Sequence, residues 1–393
     1  MTFQTRSKSD RERAEALLSQ GKNTEALPLL ERAAADAPTD ARLMYSLGYT
    51  RSVAAMAIKD PAAQRRARIK ARIELTRAKE LGYRSTLLDV TLRDLPPDGA
   101  NPPRFSDNPV VEEAMNAGEA AFARGEFAEA RKGYQRALDL DPKQYFAALF
   151  IGDMFFKEGY AKPRGDEKIA LFNQSGEWFA RAIKINPTIE TAYRYWGSAL
   201  MDSGKMDEAL EKVVEAYITM PYQQLSPQGL LRWASMNKME QPKHPLINVP
   251  TGVERKSNGD MNITLDMKMM DDKKKDGTNH WFFYGLSRAA YQSASFAKNH
   301  PNEKTYRHTL REEVEALRMV ADAVNEDVKK KKIKKLDPSL ATLVKLHNDG
   351  LLEAYILLAR PDEGIAQDHA DYLKANPDKL RRYVRQYVMG RSN

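Results

Sequence analysis

From Gly125 to Pro142 the chain reads Gly125-Glu-Phe-Ala-Glu-Ala130-Arg-Lys-Gly-Tyr134-Gln-Arg-Ala137-Leu-Asp-Leu-Asp-Pro142. Ala130, Tyr134 and Ala137 follow one another at steps of four and three, which is one face of a helix. Gly125 suits the left-handed residue that ends a preceding helix. Pro142 closes the stretch, because the residue before a proline is turned away from helical geometry. Upstream, Ala117 and Gly118 supply small side chains of their own. Residues 111–144 therefore predict two helices crossing closely at small residues, with larger side chains filling the holes beside them.

The same register returns along the chain. In residues 7–40 it falls on Ala14, Gly21, Ala26, Ala33 and Pro38. In residues 190–223 it falls on Trp196-Gly197, Gly204, Ala209, Ala216 and Pro221. Two further copies are stretched by 11 residues each: residues 41–85 with Leu47-Gly48, Ala71, Leu75 and Ala78, and residues 145–189 with Ile151-Gly152, Phe179, Ala182 and Pro187. The order short, long, short, long, short fits an ancestral pair used twice. The quoted pattern resembles the tetratricopeptide repeat, a module of paired helices. The resemblance implies a mostly α fold over residues 7–223, a right-handed TPR-like α-solenoid, and a protein-binding role as adaptor or scaffold.

Composition sets the outer limits. The 393 residues include no cysteine, which excludes disulfides, thiolate metal sites and cysteine nucleophiles. The net charge of +8 is modest and dispersed, so nucleic acid is a secondary expectation. No apolar run is long enough for a membrane span, and the first residues lack the apolar stretch of a secretory signal, so a cytoplasmic protein is expected.

The expected organisation is residues 7–85 for two repeats, 86–110 for a proline-rich linker, 111–239 for three repeats and a capping helix, and 240–393 for a smaller α+β module. The linker holds Pro96-Pro97, Pro102-Pro103 and Pro109, so it should be mostly extended or irregular and let the first repeats tilt. In the last module, period two through Val249, Val253, Ile263, Leu265, Met267 and Met269 predicts one β-hairpin. A loop over 256–260 opposes Val253 to Ile263, Val249 to Met267 and Ile247 to Met269, keeping the apolar side chains on one face. Thr278 is a candidate cap for a helix with Trp281, Tyr284 and Tyr291. A second helix, from about Lys304 to Val328, carries Leu310, Val314, Leu317, Ala321, Val324 and Val328, a seam for a partner helix within the chain.

Candidate chemistry is sparse. His308 and Glu312 lie one helical turn apart with Glu315 nearby, but the local sequence supplies no further metal ligands. Asp272, Asp276 and Gly277 begin like a calcium loop, yet the closing glutamate position is Phe283. Gly204-Lys205 lacks the earlier glycine of a phosphate loop. No cofactor and no metal is expected, and catalysis has no motif behind it. The densest basic run is Lys329 to Lys332 with Lys334 and Lys335; Arg65, Arg68 and Arg72 share a helix face.

The resemblance also points to a groove. In tetratricopeptide-repeat proteins the first helices line a concave surface through positions 2, 5, 9, 12 and 13. These positions imply Tyr45, Tyr49 and Ser52 in the second repeat; Met115, Glu119 and Phe122 in the third; Phe146, Leu149, Asp153 and Phe156 in the fourth; and Arg194, Ser198 and Met201 in the fifth. The carboxylate clamp known in the family is not matched, since Arg11, Glu15, Met115 and Phe122 stand where its residues would be. An aromatic, Met-rich groove suits an apolar peptide or helix of a partner protein. Two other readings stay open: basic C-terminal helices on nucleic acid, and a self-assembling protein whose groove is filled by its own chain.

Overall fold

The computed structural model describes residues 2–100, 104–255, 261–266 and 275–391. The chain divides into two compact units, residues 1–233 and 234–393. The first is a TPR-like α-solenoid of paired helices; the second is helical with one two-stranded hairpin.

Five helix pairs build the first unit: α1 (Thr2–Ser19) with α2 (Asn23–Asp36), α3 (Ala41–Ala54) with α4 (Pro61–Glu80), α6 (Pro109–Ala123) with α7 (Phe127–Leu140), α8 (Tyr145–Ala161) with α9 (Asp166–Ile185), and α10 (Thr191–Asp202) with α11 (Met206–Thr219). α5 (Thr86–Asp94) lies between the second and third pairs, and α12 (Gln228–Met236) follows the fifth. In the three short pairs the turn is the same. Gly21, Gly125 and Gly204 take φ of 74°, 78° and 77°, a region open to glycine at little cost. The next residue's N–H then bonds back to a carbonyl of the ending helix, as Glu126 does to Ala121 at 3.0 Å.

The two stretched pairs spend their insert on longer helices. α4 and α9 each have 20 residues, against 14 in α7. A side chain on Gly118 would meet the Tyr134 ring at 2.4 Å, and one on Gly152 would meet Phe179 at 2.6 Å. The short and stretched pairs thus lock in the same way.

The stack is interrupted after the second pair. The residue before the crossing glycine is buried where a preceding helix covers it, as for Leu47 and Ile151. Arg13 and Ala117 at the same position are exposed. Arg13 begins the first stack, and Ala117 begins a second. Ala117, expected as a close-packing residue, therefore packs against no preceding helix. α6 meets the 3-10 turn Ala55–Ala57 instead. The turn of the first pair touches that of the third: a Cβ on Gly21 would lie 2.6 Å from the Phe127 ring. The Thr24 hydroxyl also donates to the Ala123 carbonyl at 3.2 Å.

The linker departs from expectation. Residues 86–94 form α5 because Ser85 caps it by accepting from the Leu88 N–H at 3.1 Å, Leu88 is buried, and no proline intervenes before Pro96. Nor is the linker loose. Arg65 donates to the Asp98 carbonyl at 2.7 Å and Arg68 to that of Gly99 at 2.8 Å. Arg72 donates to the carbonyls of Leu92 and Leu95. The arginine face of α4 is the linker's clasp. Pro102 and Pro103 lie outside the described residues.

In the second unit, β1 (Thr251–Arg255) pairs antiparallel with β2 (Met261–Leu265), and Val253 opposes Ile263. Ile247 and Val249 precede the strand instead of belonging to it; Met267 and Met269 lie outside the described residues. The hairpin rests on α13 (Trp281–Ala290) at Gly285, where a Cβ would sit 2.6 Å from Ile263 and from Thr251. α15 (Leu310–Lys329) begins later than expected, because Thr309 caps it through the Glu312 N–H at 3.1 Å. Its seam packs on α13, α16 (Pro338–Asn348) and α17 (Leu352–Ala359), except that Val328 is exposed. Behind the seam Glu312 and Glu313 are almost fully buried. Arg288 donates to Glu312 at 2.9 Å, Gln292 donates to the same oxygen at 3.1 Å, and Tyr284 donates to Glu313 at 2.8 Å.

Two outcomes follow from these contacts. In Gly133→Ala, helix propensity favours the variant by about 0.5–1 kcal/mol. The new Cβ, however, meets the Gly118 backbone at 2.6 and 2.8 Å, and such overpacking costs about 1–3 kcal/mol. A lower melting temperature is expected; an unchanged or higher one contradicts the close crossing. Arg288→Met leaves the buried Glu312 carboxylate without its cation, while Glu313 keeps His308 and Arg360, and should cost about 3–5 kcal/mol at neutral pH in denaturant unfolding. A loss under 1 kcal/mol contradicts the network.

Candidate functional site

The groove positions of the first unit divide into two groups. Met115, Leu149 and Met201 are 0%, 2% and 1% exposed. They are core residues, because their positions point between neighbouring first helices, and no partner reaches them. Phe122 stacks on Phe127 with centroids 6.5 Å apart, and Phe156 stacks on Phe172 at 5.4 Å. Both rings chiefly brace the second helix of their own pair. The Met-rich, apolar character expected of the groove is therefore corrected.

What remains is aromatic and charged. Tyr45 lies between Tyr83, at 4.4 Å between centroids, and Tyr49, at 6.0 Å. Glu119 accepts from the Tyr134 hydroxyl at 2.8 Å. Burial first, and the charge on Asp153 second, push the Glu119 carboxyl up to about 7, against the opposing bond from Tyr134. Asp153 is also raised by burial, partly offset by Lys157 and Arg194. Lys157 Nζ lies 3.8 Å from Asp153 and 5.5 Å from the Phe122 centroid. Asp153 in turn raises the Lys157 ammonium, and Tyr49 and Tyr195 add to it. Tyr195 is pushed up to about 12, by burial and then by Asp153. Arg194 grips Glu190 through Nε at 2.9 Å and its second nitrogen at 3.2 Å, with its guanidinium over the Tyr195 ring. α3, α6, α8 and α10 thus bring residues of four pairs around one cleft.

Phe146, another expected groove position, is contacted by the chain itself. Phe105 of the linker packs edge-on to Phe146 at 6.0 Å and to Phe150 at 5.7 Å. Its N–H donates to Glu112 at 2.8 Å, and its carbonyl accepts from Gln144 at 2.9 Å.

Sequence reasoning missed Lys157 and Tyr195. Lys157 had a signal, since it is position 13 of the fourth repeat. Tyr195 had none, because its position does not face the groove in the family pattern.

The histidines of the second unit have other partners than expected. His308 Nδ1 lies 2.6 Å from Asp362, and Nε2 lies 3.2 Å from Glu313. The expected partner Glu312 faces Arg288, because His308 precedes α15 and helical spacing does not apply to it. Glu315 pairs with Arg311 at 2.8 Å. His280 lies 3.2 Å from Asp327, beside a cavity of about 230 Å³ lined also by Asp276, Thr278 and Lys332. Thr278 lies inside a 3-10 turn, Thr278–His280, with its hydroxyl donating to Asp276 at 2.7 Å, and the N-cap position of the helix falls to His280. Asp272 lies outside the described residues. Among the described residues no group of three or more His, Cys, Asp or Glu is placed to hold a metal ion. Within the basic run, Lys330 pairs with Glu326 and Lys332 with Asp327.

Family models described as tetratricopeptide repeat match residues 111–144 and 11–51. The chain therefore carries a tetratricopeptide-repeat segment. Among solved structures, one titled "Crystal structure of MamA protein" is 16% identical, covering 55% of this chain and 92% of its own, with a TM-score of 0.25. Another, "Crystal structure of YrrB: a TPR protein with an unusual peptide-binding site", is 15% identical, covering 57% and 96%, with a TM-score of 0.25. No curated protein matches the chain. Among the described residues no helix is long and apolar enough to cross a membrane.

Glu119 sets a pH dependence. Between its unfolded value of 4.5 and its folded value of about 7, the folded protein keeps a proton that the unfolded chain has lost. Its contribution to stability therefore falls as pH rises through that window. Glu119→Gln removes the loss: the variant should match wild type near pH 4, below the unfolded value of 4.5, and exceed it near pH 8 by on the order of 1–3 kcal/mol. Equal urea midpoints for both proteins at pH 8 would contradict the burial of this carboxyl.

Proposed function

We propose that the repeat segment is a non-catalytic adaptor that holds a peptide or helix of a partner protein in its concave cleft, acting in the cytoplasm. The observation that carries this reading is the convergence of Tyr49, Asp153, Lys157 and Tyr195 from three helix pairs on one cleft, in a unit whose residues 11–51 and 111–144 match tetratricopeptide-repeat models. Tyrosines offer large contact area at low entropic cost, which suits them to anchor a bound segment. The occupant supported is amphipathic and not wholly apolar, because Met115, Leu149 and Met201 belong to the core. A nucleic-acid reading gains little, since Lys330, Lys332 and Arg381 are paired with acidic neighbours.

The test is affinity capture with the full chain and with a Tyr49→Ser, Lys157→Glu double variant, after both show the same helical signal. Wild type should retain at least tenfold more partner. Equal capture of the same proteins by both would remove the cleft as the binding surface.

A further inference from the structure

We propose that the occupant of this cleft presents a cationic side chain, lysine or arginine, to Glu119 and Asp153 beside the tyrosines of α3 and α10. The proposal rests on the adaptor reading and adds the chemistry of the partner.

Charge balance is the first support. Three carboxyl groups stand around the cleft, Glu119, Asp153 and the fully buried Glu190, against two basic groups, Lys157 and Arg194. Arg194 is consumed by Glu190, which it holds through two nitrogens. Lys157 is left for Asp153, at 3.8 Å, too long for a hydrogen bond. For Glu119 there is no cation: among the described residues no basic side chain pairs with it, and the one charge acting on it is that of Asp153, of its own sign. Above about pH 7, where Glu119 has given up its proton, the cleft is one positive charge short. An apolar or anionic occupant would remove water from Glu119 and return nothing for it.

The surroundings are the second support. Glu119 and Asp153 occupy equivalent positions on the neighbouring helices α6 and α8, so their carboxyls open on the same side. Tyr134 donates to Glu119 and Tyr195 lies by Asp153, and an aromatic face attracts a cation. The chain already demonstrates the chemistry. Lys157 places its own ammonium among Asp153, the Phe122 ring, Tyr49 and Tyr195. A partner's lysine or arginine would repeat that arrangement one helix away, at Glu119.

The experiment selects binders from a phage-displayed library of random 12-residue peptides on the immobilised full chain, then titrates the most enriched peptide in solution. The proposal expects lysine or arginine enriched at one position. It expects affinity to fall at least tenfold when that residue is replaced by norleucine or citrulline, a change that leaves the protein untouched. It also expects Glu119→Gln to weaken the cationic peptide but not its neutral counterpart. Retained peptides without a cationic position, a neutral counterpart that binds within twofold, or equal binding of the cationic peptide by Glu119→Gln each overturn the proposal while the adaptor reading stands. If the library leaves no peptide on the protein, both fall.

Discussion

How closely two helices of a pair can approach governs the first unit. Where Gly118 faces Tyr134, Gly152 faces Phe179, Gly48 faces Leu75 and Gly197 faces Val213, a Cβ would come within 2.4–2.8 Å of the opposing side chain. The backbone of one helix therefore rests on a side chain of the other, and each pair has one crossing geometry. The next pair can add only in the orientation this crossing permits. The first helices then share a face, and Tyr49, Glu119, Asp153 and Arg194 are carried to it. The cleft is a by-product of a packing rule that four of the five pairs obey through a glycine.

That rule explains what the sequence disclosed. A close crossing demands glycine or alanine, and a left-handed turn demands glycine, so each repeat leaves a readable trace. The groove was legible by position only. Whether a groove position is open depends on how the neighbouring helix leans, which spacing does not encode; Met115, Leu149 and Met201 went into the core for that reason. The break between the stacks had a trace in Arg13 and Ala117, too polar or too small to sit under another helix. The linker's clasp left none, because Arg65, Arg68 and Arg72 bind backbone carbonyls, which every residue has.

The second unit shows a different limit. Pairing of Val253 with Ile263 was legible because only that register buries one apolar face. The environment of His308 was not, because the beginning of α15 was misplaced: once Thr309 caps the helix, His308 turns toward Glu313 and Asp362. A single capping hydroxyl decides which carboxylates a histidine meets. Sequence distance is a sound guide inside a helix and a poor one across its first residue.

The 11-residue inserts carry a consequence of another kind. In both stretched pairs the second helix gains six residues over α7, about 9 Å of rise, and the crossing glycine still meets its partner. Lengthening at the turn leaves the phase of the hairpin intact, so the reach of the arm is uncoupled from the angle at its root. Tyr160, 64% exposed near the tip of the longer arm, shows what such growth delivers: new surface beyond the stack, gained without disturbing any neighbour. A solenoid built this way can vary its outline between lineages while its interior stays constant.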